Sequence, residues 1–161
     1  MEIAFFDRGP MDSTKLVAAG SWSAYWYNGY IYSSEISRGL DIFELKPSAW
    51  LSENELEAAK SVHQIFGNVQ TQQKITWPPV YSVARAYLDQ LERDKGYSPN
   101  RIDDVRQALK DAEKRSGAAQ RDALNKLAGQ VREDAAKADD AARVDMLATQ
   151  IFAIARAVQV N

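Results

Sequence analysis

The sequence predicts an α+β chain: a four-stranded antiparallel sheet followed by an antiparallel helical hairpin or small bundle. Two observations carry that prediction. All four Trp, all seven Tyr and four of the five Phe lie at or before Tyr97, and only Phe152 follows. Beyond that point Ala and charged residues dominate, with apolar residues recurring at steps of three and four. Aromatic and β-branched residues suit a pleated surface, whereas a three-and-four spacing suits one face of a helix. The boundaries read as a β segment over 1–46, a connecting helix and Pro-containing loop over 47–78, and a helical segment over 79–161.

The first strand is Ile3 to Asp7, stopped by Arg8-Gly9-Pro10. The next two flank Asn28-Gly29, since residues tolerant of positive φ between aromatic runs mark a type I′ hairpin. A two-residue turn there pairs Tyr27 with Tyr30 and Tyr25 with Tyr32 on one face, and Trp26 with Ile31 on the other. Both faces then carry large apolar groups, so the strands should be covered on both sides. A fourth strand, Gly39 to Leu45, follows a turn at Ser37-Arg38-Gly39 and ends before Lys46-Pro47. Four short strands covered on both faces describe a β-propeller-like blade. A free-standing meander packed on the C-terminal helices meets the same pattern equally well.

Ser52-Glu53-Asn54-Glu55 forms a capping box for a helix over 53–66, with Leu56, Ala59, Val62 and Phe66 at helical spacing and Gly67-Asn68 as its end. Pro78-Pro79 breaks the chain before the helical segment. Helices are expected near 79–94, 100–115 and 118–159, the last interrupted around Lys137 to Ala141. Their seams contain Val80, Ala84, Tyr87 and Leu91; Ile102, Val105, Leu109 and Ala112; Leu124, Leu127, Val131, Ala135, Ala138 and Ala142; and Val144, Leu147, Ile151, Ile154 and Val158. An alanine-rich seam brings helices close but buries little area, which implies a marginal bundle.

Composition excludes several functions. The formal net charge is −2, and residues 79–161 carry 14 basic and 13 acidic side chains, a poor footprint for nucleic acid. No run approaches the ~20 apolar residues of a spanning helix, so no membrane insertion is expected. The N-terminus lacks the basic start and apolar run of a signal peptide, so the chain as given is expected to be cytoplasmic. There is no Cys and one His, His63, expected on the flank of the 53–66 helix. That combination offers no thiolate chemistry and no metal cluster, and no cofactor is expected. The doublets Asp103-Asp104 and Asp139-Asp140 are not dyads, because adjacent helical side chains diverge by about 100°. Two charged groups are candidate ligand-binding residues: Glu35 with Arg38 at a strand-connecting turn, and Asp7 with Arg8 before Gly9-Pro10. A carboxylate beside a guanidinium can hold a polar ligand or a calcium-like ion. A local ion pair orienting the turn is the competing role.

The run Phe6-Asp7-Arg8-Gly9-Pro10, then Trp22-Ser23 and Tyr25 to Tyr32, then Ser34-Glu35-Ile36-Ser37-Arg38-Gly39-Leu40-Asp41-Ile42-Phe43-Glu44-Leu45, resembles the last blade of LVIVD-repeat proteins. Pro47-Ser48 and Leu51 to Glu55 resemble the tail after that blade. The resemblance covers about the first ninety residues. It implies a propeller protein, often exported or on the cell surface, of which this chain is a C-terminal piece or the product of a truncated or internally started reading frame: one blade stands where the family carries several. The function implied is non-catalytic, a terminal blade and helical extension that binds protein partners or the missing upstream blades and is prone to self-association. Two alternatives stand beside it: one corner of a multi-blade ligand-binding or enzymatic site, and a free-standing cytoplasmic adaptor.

Overall fold

The computed structural model describes residues 2–71 and 74–159. It divides into two compact units, 1–76 and 77–161.

The first unit holds a sheet of three strands, not four. The order is β1 (Ser21–Tyr27), β2 (Tyr30–Glu35) and β3 (Gly39–Phe43), all antiparallel neighbours. The hairpin register places Tyr27 opposite Tyr30, Trp26 opposite Ile31 and Tyr25 opposite Tyr32. Asn28 at φ 46° and Gly29 at φ 93° supply the left-handed pair that a two-residue turn requires. The β2–β3 connection is a three-residue loop closed by Gly39 at φ 96°, opposite Glu35. A bulge between Ser21 and Ser23 leaves Trp22 without a partner in the ladder.

The expected strand Ile3 to Asp7 is irregular. Its side chains, rather than its backbone, attach it to the sheet. Phe6 meets Phe43 with ring centroids 4.7 Å apart, and the Arg8 guanidinium pairs with Asp41. β propensity expresses itself only where a ladder partner is available, and the segment is held through Phe6 and, just beyond it, Arg8 without one.

The sheet is not covered on both faces by its own unit. Trp22 is 80% exposed, Leu40 61% and Ile42 57%. Among the described residues of the unit, only Gly29, Ser33, Asp41, Leu56 and Ala58 are buried.

Helix α1 (Glu53–Lys60) begins at the expected capping box: Ser52 accepts from the Glu55 amide at 3.1 Å, and Glu55 accepts from the Ser52 amide at 2.7 Å. It ends six residues before Phe66. The Ser61 hydroxyl donates to the Ala58 carbonyl at 2.6 Å, closing the last turn. Beyond it, the Asn28 side chain grips the backbone of Gln64, accepting from its N–H at 2.8 Å and donating to its carbonyl at 2.9 Å. The Tyr27 hydroxyl donates to the same carbonyl at 2.8 Å. These bonds use backbone groups that a continuing helix would need, so Gly67-Asn68 does not cap it.

The second unit is not a two-helix hairpin. It has four helices: α2 (Tyr81–Arg93), α3 (Pro99–Glu113), α4 (Gly117–Asp134) and α5 (Ala141–Ala157). A short 3-10 turn over Ala135–Lys137 divides the expected long last helix. α4 runs along α5, α5 packs on α2, and α3 touches both α2 and α4. One core unites them, including Leu88, Leu91, Ile102, Leu109, Leu124, Leu147 and Ile151. Leu88 and Val83 are buried beyond the expected seam, while Ala142 is exposed. Ala128, Ala148 and Ala155 are fully buried among these larger side chains, so close approach and apolar burial occur together.

α2 ends in a Schellman motif. Lys95 at φ 55° is the left-handed residue; its N–H donates to Glu92 O at 3.2 Å, and that of Gly96 to Leu91 O at 2.8 Å. At the other end of α2, the buried Gln150 side chain donates to Pro78 O at 2.8 Å and Val80 O at 3.3 Å. No described helix is long and apolar enough to cross a membrane.

Candidate functional site

Two surfaces of the first unit and one polar cluster of the second concentrate chemistry. The first surface is the sheet beside β1. Tyr25, Trp26 and Tyr27, with Tyr32 from β2, line one side of an open groove of about 810 Å³; Gln64 to Asn68 and Ile75 line the other. Tyr27 and Tyr32 meet edge to face at 6.3 Å. Successive strand residues point to opposite faces, and the register puts Tyr25, Tyr27 and Tyr32 on one face, onto which the groove opens. The lining carries no charged side chain. It can receive apolar or aromatic groups and hydrogen-bond them through phenols, amides and backbone.

The second surface lies at the opposite end of the sheet, around the β2–β3 turn. It gathers the four residues singled out from sequence. Glu35 accepts from the Gly20 amide at 2.6 Å, the Ser37 amide at 2.9 Å and the Arg38 amide. Hydrogen bonding from the Gly20 amide holds its carboxyl below the usual range, helped by the other two amides and the Arg38 charge. The Arg38 guanidinium turns away, donating to Gly9 O at 3.1 Å and meeting Met11 Sδ at 2.7 Å. Asp7 accepts from the Gly9 amide at 2.7 Å, and Arg8 pairs with Asp41. Asp7 and Arg8 therefore have separate partners, and Gly9 links Asp7 to Arg38. Asp41 was not singled out from sequence; its position among apolar residues in β3 was the available signal. Along the same row, buried Ser33 shares a 2.6 Å hydroxyl contact with Ser21.

Arg8, Arg38, Glu35 and Asp7 all spend hydrogen-bonding capacity on the chain itself. Their geometry fastens residues 7–11 and 35–39 to one another. His63 lies past the end of α1, exposed and not on a helix flank. Among the described residues, no group of His and carboxylates could hold a metal ion.

In the second unit, Tyr97 is buried and donates to Asp134 Oδ2 at 2.5 Å. Arg101 donates to the same oxygen through Nε at 2.9 Å and reaches Asp104 at 3.0 Å. Burial, reinforced by the Asp134 carboxylate, pushes the Tyr97 phenol up to about 12. Burial opposes ionisation of Asp134, but the bonds from Tyr97 and Arg101 hold its carboxyl below the usual range. A phenol this reluctant to ionise is a poor general base at neutral pH. Nearby, Asp140 caps α5 by accepting from the Arg143 amide at 2.9 Å, and its own N–H donates to Gly96 O at 2.9 Å. The Asp doublets thus serve caps and ion pairs: Asp140 at α5, Asp104 with Arg101.

The chain matches no family model, no curated protein and no solved structure.

Proposed function

We propose that the chain is a non-catalytic interaction segment, in which the sheet of the first unit completes its burial against further β-structure and the helical unit is a self-contained extension. The observation that supports this reading is the poverty of burial in the first unit beside the size of what it exposes. Tyr25, Tyr30, Leu40 and Ile42 are exposed on one face of the three-stranded sheet, and Trp22 is exposed at its bulge. Contiguous apolar exposure beyond a few hundred Å² marks an interaction surface. The resemblance to LVIVD-repeat proteins supports a partner of the same kind, further propeller β-structure. The alternative of a ligand-binding corner at Glu35 and Arg38 has less support, because amides, Gly9 and Met11 already engage both groups. The test is dye binding and light scattering on the 161-residue chain, alone and mixed with propeller β-structure from an LVIVD-repeat protein. The chain alone should bind a hydrophobic dye, and the mixture should bind less per chain. A chain that is dye-silent alone would remove the physical basis of the reading.

A further inference from the structure

The β1–β2 turn holds a reactive dipeptide. Asn28-Gly29 is the one Asn-Gly pair in the chain; the other asparagines precede Glu55, Val69, Arg101 and Lys126 or stand last. An asparagine side-chain amide carries an electrophilic carbon, Cγ. Attack on it by the backbone nitrogen of the following residue closes a five-membered imide ring. Glycine hinders that attack least, because it has no Cβ.

The folded turn forbids the closure. Asn28 sits at φ 46° in the left-handed region, where ψ is about +47°. At that ψ its Cβ lies nearly anti to the Gly29 nitrogen across the Cα–C′ bond, whereas the ring needs the two eclipsed. The amide is held as well. Its Oδ1 accepts from the Gln64 N–H at 2.8 Å, and its Nδ2 donates to the Gln64 carbonyl at 2.9 Å. The Tyr27 hydroxyl donates to that carbonyl at 2.8 Å. Gly29 is buried, and a Cβ built on it would stand 2.9 Å from Lys60 Cγ. Backbone, amide and nucleophile must all be released before they can react.

We propose that Asn28-Gly29 is a self-modification site, gated by opening of the β1–β2 turn, whose isoaspartyl product detaches the segment after α1 from the sheet. The Gly29 nitrogen gives its proton to solvent base and bonds to Asn28 Cγ. The Cγ–Nδ2 bond breaks, and Nδ2 leaves with a proton as ammonia. Water then opens the imide at one of its two carbonyls. Cleavage at Cγ leaves an ordinary aspartate; cleavage at the backbone carbonyl leaves the chain running through Cγ as isoaspartate. No electrons are transferred, and water is the only co-reactant.

The two products differ in what they do to the fold. Aspartate before glycine still suits the two-residue turn, but a carboxylate only accepts and cannot donate to the Gln64 carbonyl. Isoaspartate loses that bond too, and it adds a methylene to the main chain of a loop whose length sets the hairpin register. Release of the Gln64 backbone also loosens Gly67, where a Cβ would stand 3.1 Å from Tyr27 Cδ2, and so uncovers the Tyr27 ring. A turn that has opened and reacted does not close again, so the product is a permanent record of opening. Opening must break both bonds of the grip, which slows the folded reaction by about ten-fold or more relative to the unfolded chain.

The test is incubation of the full chain in mildly alkaline buffer, folded and in guanidinium chloride, with peptide mapping by mass spectrometry at Asn28, Asn68 and Asn100. In denaturant Asn28 should convert faster than the other two, with isoaspartate the larger product. In the folded chain its conversion should be at least about ten-fold slower. Tyr27→Phe removes one bond from the Gln64 carbonyl without touching the reacting groups. It should speed folded conversion several-fold and leave the rate in denaturant unchanged. The isolated isoaspartyl chain should unfold at lower urea than Asn28→Asp when followed by Trp fluorescence. Equal rates at Asn28 in the folded and unfolded chain overturn the inference. So does a Tyr27→Phe variant that reacts no faster when folded, or an isoaspartyl chain as stable as the unmodified one. Dye binding by the unmodified chain tests the interaction reading, and neither result depends on the other.

Discussion

Asn28 performs two tasks, and they can be separated by substitution. Its backbone sits at φ 46°, the left-handed region. Its amide grips Gln64 with bonds of 2.8 and 2.9 Å, both partly buried. A net intramolecular bond contributes about 0.5–1.5 kcal/mol, so the grip is worth about 1–3 kcal/mol. Asn28→Gly keeps the backbone conformation and removes the grip, so that is its expected cost. Asn28→Ala removes the same grip and keeps a Cβ in the left-handed region without the polar side chain that eases it for Asn, which costs about 1–2 kcal/mol relative to Gly. Three of the four Trp, at 22, 26 and 50, lie in the first unit. Urea unfolding followed by Trp fluorescence therefore reports on it, while helical circular dichroism follows mainly the second. The expected order of midpoints is wild type, then Asn28→Gly, then Asn28→Ala. A Gly variant as stable as wild type would show that the grip on Gln64 contributes nothing. Equal Gly and Ala variants would show that the turn is not left-handed at Asn28.

Lys95→Gly should raise the stability of the helical unit by about 0.5–1 kcal/mol, since the left-handed C-terminal position of α2 suits glycine; a lower thermal midpoint would contradict the Schellman geometry. Gly96→Ala should lower it by about 1–3 kcal/mol, because a Cβ there would stand 2.7 Å from Asp140 Cβ and 3.2 Å from Leu91 Cδ2; an unchanged midpoint would mean that this approach is not close. For Tyr97, the phenol releases its proton near 10 when unfolded and near 12 when folded. The folded state binds the extra proton between those values, so this contribution to stability is complete below pH 10 and is lost as pH rises toward 12. Phenolate absorbance with parallel circular dichroism should show a last tyrosine ionising as the helices melt, and Tyr97→Phe should remove that step.

What was legible from residues alone was local. The Asn-Gly pair announced the β1–β2 register because the turn's demand for positive φ is met by its own two residues. The Ser52 capping box announced the start of α1 because both its bonds lie within three residues. The end of α1 was not legible, because the groups that claim Gln64 belong to Asn28 and Tyr27, more than thirty residues earlier. The strand expected at Ile3 to Asp7 failed for a related reason. Its apolar pattern was real, but Phe43 and Asp41 engage side chains rather than backbone. In the helical unit, spacing revealed most of the core yet favoured the stripe through Tyr87 and left out neighbouring Leu88. Gln150, a polar residue outside the expected seams, is buried with its amide on the carbonyls of Pro78 and Val80. Glu35 and Arg38 read as a charge pair; the structure joins them through the Arg38 amide, while the guanidinium goes to Gly9 and Met11.

The two units solve the burial problem in opposite ways, and composition already carried the difference. The helical unit puts Leu, Ile and Val inside with alanines between them, and its large exposed apolar residues are few: Trp77 at its start and Met146. The sheet unit holds most of the aromatic residues and leaves many of them at the surface. Aromatic side chains are the most productive groups to bury and enriched in the cores of interfaces. A chain that spends them on an exposed sheet while building a closed core from smaller residues has its cohesion in one unit and, on the interaction role we propose, its recognition surface in the other. Stability mutations should therefore concentrate in α2 to α5. Mutations on β1 to β3 that spare Asn28 and Gly29 should alter association more than folding. A Trp22→Lys variant that lost stability as severely as Leu147→Ala, at about 2–5 kcal/mol, would show that the exposed sheet is part of the fold's own core and would dissolve that division.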